Sequence, residues 1–209
     1  MPRDAATMYR WRKMTDEQRR ETLHERARHA RPWHSVPHRR DETKTIYMIT
    51  AACFEHAPVI GTSLERMAKF EAGLVSLLDE NCSQTFAWTV LPNHYHVLVQ
   101  TRDVKGVLKS LGYLHGRNSY FWNGEDDARG RQVWCNAAET VMKSERHFDA
   151  TINYVLHNAV KHGYIEKWTQ WPFCNAREYL SAVGRDEALQ RWRSYPIDDY
   201  GNDWDPADL

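Results

Sequence analysis

The sequence predicts an α+β fold: an antiparallel sheet with helices on one face, preceded by a helical extension and followed by a tail. Three observations predict it. Residues 44–53, 85–91 and 94–101 are short runs rich in β-branched and aromatic side chains, which is the composition of strands. Between and after them lie longer stretches with apolar residues at helical spacing, opened by the Thr62-Ser63-Leu64-Glu65 capping box, by Asp103 or by Ser144. The Pro92-Asn93 pair joins the second and third runs so tightly that they must form a hairpin.

In chain order, Thr15-Asp16-Glu17-Gln18 is a capping-box pattern, and a charged helix is expected from there to about residue 30. Residues 31–41 hold Pro32 and Pro37 and read as an extended linker. The first strand, 44–53, follows. A second capping box at Thr62-Ser63-Leu64-Glu65 opens an amphipathic helix to about residue 80, with Leu64, Met67, Leu74, Leu77 and Leu78 on its buried side. The hairpin of 85–91 and 94–101 comes next. Asp103 caps a helix through about residue 120, and a polar, glycine-containing loop spans 123–131. A further strand is expected within 133–141. Ser144 then caps a long helix to about residue 162, stopped by Gly163. A Trp- and Pro-containing segment, a short helix near 186–193 and an acidic tail complete the chain. The order β-α-β-β-α-β is that of a ferredoxin-like antiparallel sheet.

With 209 residues the chain is long enough for one domain with a substantial core, and 42% hydrophobic residues is ordinary for a folded globular protein. No stretch approaches the roughly 18 to 20 apolar residues that span a membrane, and the start, MPRDAATMYRWRKM, lacks the apolar core of a signal peptide. Cys53, Cys82, Cys135 and Cys174 are widely spaced, form no CxxC pair and read as reduced thiols of a cytoplasmic, nucleoid-associated protein. Net formal charge is zero, so the chain is no general polyanion coat. Charge is uneven, however. Residues 10–40 are rich in arginine and 198–208 are acidic, which suits either a basic binding arm and a competing tail or two solvated ends.

Two groups of residues are candidates for chemistry. His94-Tyr95-His96 opens a strand, and strand alternation puts the two histidines on one face with Tyr95 on the other. Two neutral imidazoles on one face can grip a divalent metal and leave positions open for substrate oxygens; equally, they can be ordinary strand histidines. The second group lies on the long helix. Phe148, Ile152, Val155 and Ala159 make one apolar stripe, and Tyr154 and Asn158, four residues apart, lie beside it. Lys161 continues that side. The pair suits the edge of a site on the sheet, or a half-buried tyrosine whose hydroxyl meets solvent. A phenol is a poor nucleophile at neutral pH, so Tyr154 needs help from a metal and a cation to attack a phosphate.

The segment Leu91-Pro92-Asn93-His94-Tyr95-His96-Val97 resembles the HUH signature of single-tyrosine transposases. The segment Tyr154-Val155-Leu156-His157-Asn158-Ala159-Val160-Lys161-His162-Gly163, followed by Trp171-Pro172-Phe173, resembles the tyrosine helix of the REP-associated tyrosine transposases, which often reads Y-I-x-x-N-P-V-K-x-G before a W-P-[FWY] run. Ala159 stands where that family usually has proline. The resemblance covers about residues 45–175. It implies that His94, His96 and Asn158 hold Mg²⁺ or Mn²⁺. It implies that Tyr154 attacks a scissile phosphate in single-stranded DNA, leaving a 5′-phosphotyrosine and a free 3′-hydroxyl. It also implies that the substrates are DNA hairpins of repetitive extragenic palindromes. Charge and position make Lys161, Arg10, Arg12, Arg39 and Arg40 candidates for DNA contact.

The expected organisation is a basic N-terminal helix and linker at 1–42, a nuclease/transposase domain at 43–175 and a C-terminal extension with acidic tail at 176–209, acting as a monomer or homodimer. Two other functions fit the same elements. A ferredoxin-like sheet can bind single-stranded nucleic acid without chemistry, stacking bases on strand aromatics such as Trp88 and Tyr95. A metal-dependent phosphodiesterase can use activated water, with Tyr154 structural.

Overall fold

A computed structural model of the chain describes Thr15, Glu17 and residues 45–197. The linker, the acidic tail, Arg10, Arg12, Arg39, Arg40 and most of the expected N-terminal helix lie outside the described residues, although Glu17 is helical. Four strands form one sheet: β1 (Ile46–Ala52), β2 (Gln84–Val90), β3 (His94–Gln100) and β4 (Ala138–Val141). The spatial order is β2-β3-β1-β4, with every neighbouring pair antiparallel. Helix α1 (Leu64–Asn81) links β1 to β2, α2 (Val104–Glu125) links β3 to β4, and α3 (Glu145–Lys161) follows β4. This is the predicted α+β class with ferredoxin-like strand order.

The two crossover helices α1 and α2 share one face, as expected, and the further helix α3 covers the other. Tyr47, Ile49 and Ala51 of β1 and Tyr95, Val97 and Val99 of β3 pack with Phe70, Leu74 and Leu78 of α1 and with Val107, Leu111 and Trp122 of α2. Met48, Ala87 and Leu98 point the other way and pack with Ile152, Val155 and Leu156 of α3. The cause is in the strands. From His94 to Val99 every residue of β3 is buried, with Tyr95, Val97 and Val99 covered on one face and His94, His96 and Leu98 on the other.

Several boundaries also shift. In α1, Leu64 is 74% exposed, because it is the first residue after the Ser63 cap and precedes the packed turns; Phe70 fills the core instead. β4 occupies only the end of the expected 133–141 run. Before it, the chain runs antiparallel to Cys53 through an isolated bridge at Trp134. α2 continues into the expected loop because its last turn is tied down: Asn123 Nδ2 donates to Arg131 O at 2.7 Å, and Arg131 Nε donates to Asn123 Oδ1 at 2.9 Å.

Beyond α3 the chain forms α4 (Ala176–Val183) and α5 (Arg185–Ser194), parted by Gly184 at φ 83°. α5 corresponds to the helix expected near 186–193, and α4 was not expected. α5 docks on a polar side of α3: Asn153 Nδ2 donates to Arg191 O and Tyr195 O, Arg191 pairs with Asp149 at 3.3 Å, and His157 stacks between Trp168 and Trp192. Burial holds the His157 imidazole well below its usual range, at about 4.

Candidate active site

Three elements supply the site, and each is fixed by local chemistry. The Pro92-Asn93 turn sets the start of β3. Gly61 N donates to Pro92 O at 2.9 Å, and a side chain at Gly61 would collide with the Pro92 ring. Cys53 N donates to Asn93 O at 2.7 Å, which locks the turn to the end of β1. The helix α3 is held at both ends. Ser144 Oγ accepts from His147 N. At the far end Gly163 adopts φ 72°, with Gly163 N donating to Val160 O and Tyr164 N to Ala159 O. That pair of bonds is a Schellman stop, as the glycine position predicted.

His94 and His96 lie on the α3 side of the sheet, and Tyr95 lies on the other. The imidazole orientations follow from their neighbours. Asn93 Nδ2 donates to His56 O at 3.2 Å, so its Oδ1 faces His94 Nδ1 at 2.7 Å and accepts from it. Thr50, paired with His96 across β1 and β3, places Oγ1 at 2.7 Å from His96 Nδ1. With both Nδ1 atoms engaged, each ring turns Nε2 toward α3. Such outer partners are what orient metal-ligating histidines.

Facing them, Asn158 Oδ1 lies 3.1 Å from His94 Nε2, and Tyr154 Oη lies 3.2 Å from His96 Nε2. The two imidazole centroids are 5.0 Å apart. His94 Nε2 and Asn158 Oδ1 meet at 3.1 Å, a separation that two ligands of one divalent cation could also have. The donor set fits a divalent metal held by His94, His96 and Asn158. Among the described residues no group of three or more His, Cys, Asp or Glu side chains is placed to hold a metal, and this set has two histidines and an asparagine. The same Nε2 lone pair of His96 cannot serve both a cation and the Tyr154 hydroxyl, so cation binding there would compete with this hydrogen bond.

The site is closed. His94 is 1% exposed, and His96, Tyr154 and Asn158 are 0% exposed. The expectation that Tyr154 sits beside the packed stripe, at the edge of a site, is corrected. α3 is covered on its outer side by α5 and by the 3₁₀ turn Trp168–Gln170, so its burial extends around most of the helix and Tyr154 lies inside it. The rim is the last turn of α3. Lys161 Nζ sits 5.0 Å from the Tyr154 ring centroid, and the His162 ring lies 5.0 Å from that of His94. Tyr154 has no exposed surface.

Sequence reasoning named His94, His96, Tyr154, Asn158 and Lys161, and the structure brings all five together. It missed Thr50, Asn93 as an orienting partner, and His162. Thr50 enters only through strand register, which no local pattern encodes. The Trp171-Pro172-Phe173 run has a structural place here. Trp171 Nε1 donates to Val90 O at 2.9 Å, Val90 N donates to Phe173 O at 2.8 Å, and the run covers the open edge of β2.

No family model and no curated protein matches the chain. Among solved structures, the fold is similar to that of a REP-associated tyrosine transposase bound to a REP hairpin. The likeness has a TM-score of 0.54 at 15% identity, covering 70% of this chain and 86% of that one.

Proposed function

We propose that this chain is a metal-dependent endonuclease and strand transferase that cuts single-stranded DNA beside hairpins, with Tyr154 as nucleophile. The observation that carries the reading is the convergence of His94, His96, Asn158 and Tyr154 at 3.1–3.2 Å, across 58 to 64 residues of sequence. The likeness to a hairpin-bound transposase supports the DNA substrate.

In the reaction Tyr154 Oη bonds to phosphorus and the P–O3′ bond breaks. The phenol loses its proton and the departing 3′-oxygen gains one. One phosphate ester replaces another, so the step is nearly balanced in energy and a 3′-hydroxyl can reverse it, which makes rejoining possible. When bound, Mg²⁺ or Mn²⁺ polarises the phosphate and offsets its charge. Lys161, at the rim above the tyrosine ring, adds positive charge on the path of the incoming phosphate. Asn93 and Thr50 hold the imidazoles in register. A base-stacking sheet is disfavoured as an alternative, because Tyr95 is buried under α1 and α2, and Trp88 is half-buried with its Nε1 donating to Glu71 at 3.0 Å.

The test is incubation of the full chain with hairpin-bearing single strands and Mn²⁺, followed by denaturing electrophoresis. A protein–DNA adduct that survives SDS is expected, with Tyr154→Phe abolishing it while hairpin binding persists. His96→Ala is expected to stop cleavage at ordinary metal levels. Adduct formation by Tyr154→Phe would remove Tyr154 as nucleophile, and cleavage without any adduct would favour a water-using phosphodiesterase.

A further inference from the structure

Helix α2 buries one side against α1 and the sheet, and among the described residues nothing covers the other. On the open side Lys105, Lys109, Tyr113, Arg117, Tyr120 and Phe121 are all exposed. Tyr113 is 68% exposed, Tyr120 65% and Phe121 52%, which is costly surface for a helix that needs only solubility. Up to its last residue, Glu125, which pairs with Arg66, the helix carries no aspartate or glutamate. Its rings are paired with cations: Lys109 Nζ lies 5.9 Å from the Tyr113 ring centroid, Arg117 Cζ 6.0 Å from Phe121, and Arg129 Cζ 4.7 Å from Tyr120. Gly112 and Gly116 lie on the same side, and a Cβ at either would meet nothing within 4 Å. Alanine would fit both and strengthen the helix, so neither glycine answers a packing need of this chain. Both leave bare backbone beside Tyr113 and Arg117. A cleft of ≈ 400 Å³ lined by Ser119, Tyr120, Asn123, Arg129 and Gly130 ends the face.

Alternating cations and accessible rings on an acid-free face match one chemistry, an unpaired polynucleotide. Its phosphates are neutralised by lysine and arginine, and its bases stack on aromatic rings. A protein partner of complementary charge would use the cations but would not need three rings open to solvent. We propose that this face of α2 is a second nucleic-acid surface that holds unpaired DNA on the opposite side of the sheet from Tyr154. The inference deepens the proposed function and rests on its DNA substrate. It adds that the strand is held at two places, with the β-sheet between them. Stacking on the rings would give grip without reading sequence, because every base has a π-face.

Two sets of substitutions in the full chain test it. One removes the rings (Tyr113→Ala, Tyr120→Ala, Phe121→Ala). The other removes the charges (Lys105→Gln, Lys109→Gln, Arg117→Gln). All six side chains are exposed, and thermal unfolding checks that each variant is folded. Binding of fluorescent oligothymidine is measured by anisotropy over a salt series. Loss of the rings should weaken binding by about tenfold or more. Loss of three cations should reduce the steepness of the log–log salt dependence by roughly two. Adduct formation on a short oligonucleotide limited to the cleavage junction should persist in both. Unchanged affinity and salt slope would overturn the proposal. So would a dimer that dissociates in the ring variant with DNA affinity unchanged, which would make the face an interface between copies of this chain. Adduct with no dependence of binding on α2 would sink this inference alone. Binding through α2 with no adduct in the native chain would sink the catalytic reading alone.

Discussion

At the scale of single residues, the site depends on how two imidazoles are aimed. His94 and His96 were legible in the sequence because strand alternation is a strict period of two. Tyr154 and Asn158 were legible as neighbours because helix positions four apart stack. Depth was not legible: the phase of Tyr154 on α3 suggested an edge, while the cover supplied by α5 and the Trp168 turn puts it in the interior. Nor was Thr50, whose role exists only because β1 pairs with β3 in the register Thr50 to His96. Thr50→Val keeps the shape and removes the 2.7 Å contact to His96 Nδ1. It should raise the Mn²⁺ concentration needed for half-maximal cleavage by about tenfold to a hundredfold, the usual effect of losing an orienting partner. A metal titration of cleavage checks this, and an unchanged requirement would show that packing alone holds His96.

At the scale of elements, the strands and caps were read correctly where local chemistry decides them. Asp103 and Ser144 each accept from a backbone N–H three residues on, as their types predicted; at α1 the capping-box pattern pointed to Thr62, one residue before Ser63, which makes the cap. The same reasoning failed for α4. Asn175 precedes it, yet its side chain joins Trp88 N and Phe86 O of β2 and makes no cap, so the helix start carries no local signal. The extra length of α2 rests on a distant partner. Arg66 of α1 is only 7% exposed and donates to Val59 O, Thr62 Oγ1, Glu125 and Asp126. The guanidinium beside Asp126 holds that carboxyl down at about 2. Arg66→Ala removes these donors and leaves the Val59 carbonyl and Asp126 poorly matched. It should cost about 2 kcal/mol or more of stability, read as a lower urea midpoint. An unaltered midpoint would show that the α1–α2 junction is held by the apolar core alone.

At the scale of the whole molecule, the sheet is a wall between two cores. One, under α1 and α2, contains the buried pair Tyr95 Oη and His115 Nε2 at 3.0 Å, with His115 stacked on Trp134; the other, under α3, contains the site. The double cover was implicit in the Val97-Leu98-Val99 run of β3, but period-two reasoning assigns it to one face only. Each side of α3 and of the sheet also buries a histidine. Burial lowers both His115 and His157 to about 4, against an ordinary value near 6.5. The unfolded chain thus takes up protons first as pH falls. The stability these neutral rings provide is complete above about pH 6.5 and is lost toward pH 4, amounting to about 2 kcal/mol each by pH 5. Urea unfolding at a series of pH values should show this decline, and His157→Gln should make it shallower. A flat profile between pH 8 and pH 5 would contradict it. The central claim is chemical, and peptide mapping tests it most directly. The native chain is reacted with a hairpin-bearing single strand and Mn²⁺, digested, and the DNA-linked peptide is sequenced by mass spectrometry. The account predicts a phosphodiester on Tyr154, joined to the 5′ end of the cut strand; a linkage at any other residue, or cut DNA with no linked peptide, would contradict it.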